Sequence, residues 1–277
     1  GGYIVSGEIT RENGGSDALI IKTDARGHKV WEKVIPNAII NAIKPSQNGY
    51  ILVGDSIQLN PNSLEVNELI NSYAKLIVMD TLRNVLDEHV MMRTIIRSED
   101  TLTVDFHGDA LAIDGGGNIV VLGSFREPGE NEASFVSAYT PSDISDSLWL
   151  KTYRSLDNNN LINCQALHIT PSSTLLWASK TSNQVLNVSR EFLSVSNVDP
   201  NSTFNSYSIY GESDARNHTV EDLEESSVGY AAIGTYSETN GLNANMYFIR
   251  IDVNGHVVPE SVRYFDGERL MLNNEIL

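Results

Sequence analysis

A six-residue phrase that returns along the chain constrains its folding more than any other feature. It reads Gly2-Tyr3-Ile4-Val5-Ser6-Gly7 and comes back as Gly49 to Gly54, Asn118 to Gly123 and Gly229 to Gly234. Thr174 to Ser179 is a weaker copy that has lost the final Gly. Self-similarity of this kind marks a fold built from one repeated unit. A second segment follows each copy in step: Asp17 to Asp24, Ala74 to Asp80, Ser134 to Thr140, Glu191 to Asn197 and Asn245 to Asp252. A third follows a tight turn, at Lys29 to Ile35, Val85 to Met91, Ser147 to Tyr153, Phe204 to Tyr210 and Val257 to Tyr264. A fourth precedes the phrase, at Ala38 to Lys44, Asp109 to Asp114, Gln165 to Thr170 and Thr219 to Glu224, with a last copy at Leu270 to Leu277.

All four segments are short, partly alternating, and rich in β-branched and aromatic residues, so they read as strands. Asp24-Ala25-Arg26-Gly27 and Asp252-Val253-Asn254-Gly255 suit hairpins, and Asp114 to Asn118 another tight turn. Only Ser63 to Ser72 hints at a helical stripe. Four strands per unit, recurring at roughly 40–70 residues, predict an all-β fold of the β-propeller type. A two-sheet sandwich is the competitor, but it does not require the same quartet to recur. The expected division is a single domain, 1–277, with repeats near 1–48, 49–117, 118–173, 174–227 and 228–277.

The opening Gly1-Gly2-Tyr3-Ile4-Val5 with Gly7, then Asp17-Ala18-Leu19-Ile20-Ile21-Lys22-Thr23-Asp24 with Gly27, then Trp31, resembles the propeller repeats of secreted and surface-anchored bacterial lipoproteins. The resemblance implies the fold and an exported location at the bacterial envelope or surface, with any lipid anchor lying outside these residues. It implies no catalytic residue. The simplest closure sets Leu270–Leu277 beside the sheet of residues 1–35, which makes five blades. Six or seven apply if the sequence is a piece of a longer chain.

Binding residues are expected where long loops sit on a rigid scaffold. Asp55–Ser72 and Arg93–Gly108 are the longest excursions, and Ile57, Leu59, Leu64, Leu69, Asp105 and His107 are the binding candidates within them. Acids fall on or beside the fourth segments: Asp105, Asp109, Glu221, Asp222, Glu224 and Glu225. Of these, Asp109 and Glu221 are the candidates for a glycoside-cleaving carboxylate pair. His107, His168 and His218 lie in or just before fourth segments, but no ligand spacing points to a metal. Asp252–Gly255 lacks the later acid of a calcium loop. Trp31, Trp149 and Trp177 form no repeated stacking set, and no cofactor is expected.

Composition narrows the partners. Nineteen Lys and Arg against 36 Asp and Glu give a net charge of −17, which argues against a nucleic-acid partner. No apolar run is long enough for a membrane helix. The single Cys164 permits no intrachain disulfide. The functional expectation is therefore a non-enzymatic binding or scaffold module, engaging an envelope protein complex or a glycan through its long-loop face. The alternative is a glycoside-active enzyme with paired carboxylates in a central channel.

Overall fold

Each repeated phrase folds as one arm of an antiparallel meander. The computed structural model describes residues 1–12, 15–59, 69–91, 93–97, 100–127, 133–153, 160–169, 175–183, 190–198, 206–210, 216–238, 244–253, 256–265, 270–272 and 275–276. The first sheet holds β1 (Ile4–Thr10), β2 (Ser16–Thr23) and β3 (Lys29–Ile35). The second holds β4 (Ala38–Ser46), β5 (Gly49–Leu59), β6 (Leu69–Asp80) and β7 (Val85–Val90). The third holds β8 (Arg93–Arg97), β9 (Asp100–Ile113), β10 (Ile119–Arg126), β11 (Ala133–Tyr139) and β12 (Trp149–Tyr153). The fourth holds β13 (Asn160–Ile169), β14 (Leu175–Asn183), β15 (Arg190–Val198) and β16 (Ser206–Tyr210). In the fifth, β17 (Arg216–His218) and β18 (Asp222–Ser226) both pair β19 (Gly229–Glu238). It continues through β20 (Ala244–Ile251), β21 (Val257–Phe265), β22 (Leu270–Leu272) and β23 (Glu275–Ile276). The fold is all-β, and among the described residues there is no helix and hence none able to cross a membrane.

Three expectations are corrected. Asp55–Ser72 is not one long loop, because β5 and β6 extend into it and pair, Ile57 with Ser72 and Leu59 with Leu69. The alternation of Ser56, Ile57, Gln58 and Leu59 keeps strand parity, so the hairpin simply grows. Residues 69–72 are accordingly strand and not helix. Arg93–Gly108 is also not a loop: β8 and β9 form a hairpin there, Arg93 pairing Val104 and Arg97 pairing Asp100. Finally, Leu270–Leu272 pairs β21 and then β23. A local hairpin closes a short loop and costs less chain entropy than pairing with residues 1–35. Among the described residues β1 has one strand partner, β2.

The chain forms two compact units, one of Gly1–Glu130 with Phe135–Thr152, the other of Asn131–Ser134 with Tyr153–Leu277. In the first unit, Ala18, Ile20, Ile35, Ala38, Ile40, Leu52, Ile77 and Met79 make a common core for sheets one and two. Trp31 and Tyr50 meet edge to face over it, ring centroids 6.1 Å apart. In the third sheet all seven residues of β11 are buried, and Phe106 stacks on Phe125 at 5.4 Å. In the second unit, Leu176, Val220, Leu223, Tyr230, Tyr247, Ile249 and Val262 belong to one core. Full burial of aliphatic strands supplies the main stabilisation here, about 1.5–3 kcal/mol for each large side chain.

The repeated phrase has a physical cause. Its first glycine, at Gly2 and Gly229, takes φ of 119° and 135°, and the carbonyl of Thr23 or Ile251 fills the space a Cβ would need. Its last glycine, at Gly54, Gly123 and Gly234, lies against the carbonyl of Ile39, His107 or Thr219 on the preceding strand. The turns after the second arm are closed by aspartates. Asp24 Oδ1 accepts from the Arg26 and His28 backbone N–H groups at 2.8 and 2.9 Å. Asp80 accepts from Asn84 and Asp252 from His256 in the same way.

Candidate functional site

A β-bulge recurs on the strand that precedes the repeated phrase in the second, third and fourth sheets. Asn41 is the extra residue between the pairs Ile40–Gly54 and Ala42–Val53. Asp109 is the extra residue between Gly108–Gly123 and Ala110–Leu122, and Gln165 between Cys164–Ser179 and Ala166–Ala178. In the fifth sheet the strand breaks into β17 and β18, and Glu221 stands just before the pair Asp222–Ile233, its N–H donating to the Ile233 carbonyl at 2.9 Å. Glu221 is two residues after Thr219, as Asn41 and Asp109 are two after Ile39 and His107, the residues whose carbonyls crowd the glycines. All four positions are therefore equivalent, and each carries an amide or a carboxyl. A bulged residue is released from the ladder and its side chain re-aimed, which suits it to meeting a ligand.

In the first unit the bulge region is tied together by polar contacts. Asn41 Nδ2 donates to the Gly108 carbonyl at 2.8 Å, and the Gly108 N–H donates to Asp55 Oδ1 at 3.0 Å. The second oxygen of Asp55 lies 3.5 Å from His107 Nδ1. The Asp55 side chain is only 14% exposed while that of His107 is 39% exposed, so a shielded carboxylate orients an accessible imidazole. That is the arrangement of a general base and its positioning group. Gly108 permits it, because a Cβ there would meet Val53 and the Gly54 carbonyl.

In the second unit Glu221 is exposed, and its Oε1 accepts from the Thr219 hydroxyl at 3.1 Å. That hydroxyl lies 2.7 Å from the hydroxyl of Thr235 on β19. Beneath them Tyr247 is fully buried; burial, then the Tyr264 and Glu221 charges, push its phenol well above the usual range.

The other candidates fall elsewhere. Ile57 is buried at 7% exposure as part of the β5–β6 hairpin and is not a surface anchor. Leu59 and Leu69 are paired ends of that hairpin, and Leu64 lies outside the described residues. Asp105 lies on β9 opposite Arg126. His218 is fully buried among Tyr236, Tyr247 and Tyr264, a core position. His168 packs on Tyr230 and lies 3.9 Å from Glu225. Among the described residues no cluster of three or more His, Cys, Asp or Glu is arranged to hold a metal. Sequence reasoning missed Asn41, Gln165 and the role of Asp55. Their one signal was a polar residue inside an otherwise apolar first arm of each repeat.

The sequence matches no protein-family model and no curated protein. Solved structures do match. A polysaccharide lyase, PL25 ulvan lyase, superposes with a TM-score of 0.56 at 11% identity, over 88% of this chain and 60% of that one. A PL25 ulvan lyase bound to a glucuronic acid–rhamnose 3-sulfate repeat gives 0.56 at 10% identity with the same coverage. The chain thus spans about 60% of the length of the lyase it resembles. The expectation of a non-enzymatic binding or scaffold module is corrected by this finding. The shared fold is one on which a polysaccharide lyase is built.

Proposed function

We propose that the chain is the propeller portion of a glycan-active enzyme that cleaves a polysaccharide by elimination, with His107 as the general base and Asp55 as its positioning residue. The observation that carries this reading is the shielded Asp55 carboxylate shared between the Gly108 N–H and His107. In such a step His107 removes the proton next to a uronate carboxyl, a carbon–carbon double bond forms, and the glycosidic carbon–oxygen bond breaks with protonation of the leaving oxygen. Asn41, which donates to the carbonyl of Gly108 beside His107, and Asp109, two residues after His107, supply polar contacts to sugar hydroxyls. The meander sheets serve as blades, and a polymer substrate accords with an exported protein.

A second, hydrolytic reading is favoured by a carboxyl at the bulge position of each unit, Asp109 in the first and Glu221 in the second. One assay separates the two. The purified chain is incubated with a panel of acidic and neutral polysaccharides, and both reducing ends and ultraviolet absorbance of unsaturated sugar are followed. Elimination releases both signals, and His107→Ala lowers the rate by about 10²–10⁴-fold. Reducing ends without the ultraviolet signal, lost in Asp109→Asn or Glu221→Gln, establish hydrolysis instead. Absence of cleavage across the panel defeats both.

A further inference from the structure

The widest irregularity among the described strand pairs lies between β20 and β21. The register runs from Phe248–Arg263 to Arg250–Val258, so the segment Pro259–Val262 opposes the single residue Ile249. An ordinary bulge adds one residue. This larger one is pinned from inside. The buried Ser261 hydroxyl accepts from the Arg250 N–H at 2.7 Å and donates to the Val258 carbonyl at 2.6 Å. Arg263 Nη1 donates to the carbonyls of Glu260 and Val262 at 3.1 and 2.8 Å. The result is a hollow of about 210 Å³ lined by Phe248, Arg250, Val258, Glu260, Ser261 and Arg263.

Its charge is out of keeping with the chain. Cations are scarce, 19 against 36 acids, and several described ones are paired, as Lys29 with Glu32, Lys75 with Glu88 and Arg11 with Asp17. Arg250 and Arg263 face one hollow, and among the described residues neither has a carboxylate within ion-pair distance. Guanidinium groups favour carboxylate or sulfate oxygens, which they grip by two parallel hydrogen bonds. Phe248 and Val258 offer an apolar surface for the C–H face of a ring, and the Glu260 carboxylate accepts hydrogen bonds from hydroxyls. A bare inorganic anion would meet Glu260 with nothing in return, whereas an acidic sugar uses all three features. The volume is below that of a drug-sized pocket and fits one ring.

We propose that this hollow is a binding subsite for one uronic acid or sulfated sugar unit, separate from the His107 region. It deepens the glycan-active reading and rests on it for the kind of polymer involved. The test is calorimetric binding of galacturonate oligomers, sulfated dextran oligomers and neutral dextran oligomers to the whole chain. The acidic oligomers bind and neutral dextran does not, and the better of the two acidic probes identifies carboxylate or sulfate as the preferred group. The R250Q/R263Q variant loses about tenfold or more in affinity, the size of a charge-assisted contact, with a lower melting temperature because Arg263 also ties the bulge; R250Q alone loses affinity at an unchanged melting temperature. Raising the salt weakens binding to the parent protein, a readout that needs no variant to fold. Equal binding of dextran and acidic oligomers, unchanged affinity in R250Q/R263Q, or salt-independent binding overturns the proposal. Acidic binding without cleavage of any polysaccharide defeats the enzymatic reading and leaves the subsite standing.

Discussion

At the scale of single residues, strain and chemistry separate cleanly. Arg83 closes the β6–β7 turn at φ 76°, where the corresponding turns use Gly27 and Gly117 at 86° and 84°. A side chain in this left-handed region costs about 1–2 kcal/mol. Arg83→Gly is therefore expected to leave stability level or raise it by up to about 1 kcal/mol, the unfolded chain's extra freedom offsetting part of the relief. Urea denaturation with an unchanged slope checks it. The aspartates of these turns also set an acid limit. Hydrogen bonds, from the Asn84 side chain at Asp80 and first from the His28 backbone at Asp24, hold both carboxyls below the ordinary 3.8. A depressed folded-state pKa means stability that is fully present above about pH 4 and is lost as pH falls through the lowered value. Asp80→Ala should therefore flatten the acid limb of a melting-temperature profile and leave its neutral plateau parallel to the parent's. Asp105, Asp109 and His107 were all legible as acids and an imidazole on one arm. What the sequence did not show was Asp55 as their neighbour, because that contact joins β5 to β9 across two sheets, 52 residues apart.

At the scale of elements, the glycines give the sharpest test. In Gly123→Ala the new methyl meets the His107 carbonyl and the Phe135 ring, so the strands must part. The expected loss is about 3 kcal/mol, at the upper end for overpacking. Gly7 occupies the same place in the first repeat, yet nothing lies within 4 Å of its missing Cβ, since β1 carries no strand on that side among the described residues. Gly7→Ala should be neutral or stabilising by about 0.5 kcal/mol, the gain from removing glycine's freedom. Equal losses at the two positions, read by chemical denaturation, would refute this account of the repeat. The strands themselves were legible because periodicity and turn residues report them directly. The bulges were not: one additional residue changes register without changing composition, and Asn41 or Gln165 alone looks like any polar residue in a strand. The β8–β9 hairpin was hidden for a related reason, its β-branched Thr94, Ile95 and Ile96 being enclosed by arginines that read as loop.

At the scale of the whole molecule, charge governs behaviour. A net charge of −17 and a sequence isoelectric point near 4.6 put strong self-repulsion on the chain at neutral pH. Moderate salt is expected to raise the melting temperature by screening that repulsion. Solubility should pass through a minimum near pH 4.6, where light scattering records association. A polyanion also repels acidic polymers at long range, so any acidic glycan must be captured at a local concentration of cations, as Arg250 and Arg263 provide. Sequence carried the all-β class and the repeated unit to this scale. It did not carry the pairing of the last strands, because Leu270–Leu272 has strand character whichever neighbour it takes, and only the short connection decides.

The four equivalent bulges have a consequence for how such a chain diversifies. Asn41, Asp109, Gln165 and Glu221 stand at equivalent irregularities of their strands, where strand pairing constrains the side chain less than at regular positions. In the genetic code an amide and its matching acid are a single nucleotide apart, asparagine from aspartate and glutamine from glutamate. A lineage can therefore exchange neutral for charged groups at Asp109, Gln165 and Glu221, one mutation at a time, without passing through a misfolded intermediate, while Asn41 is held to an amide by its bond to the Gly108 carbonyl.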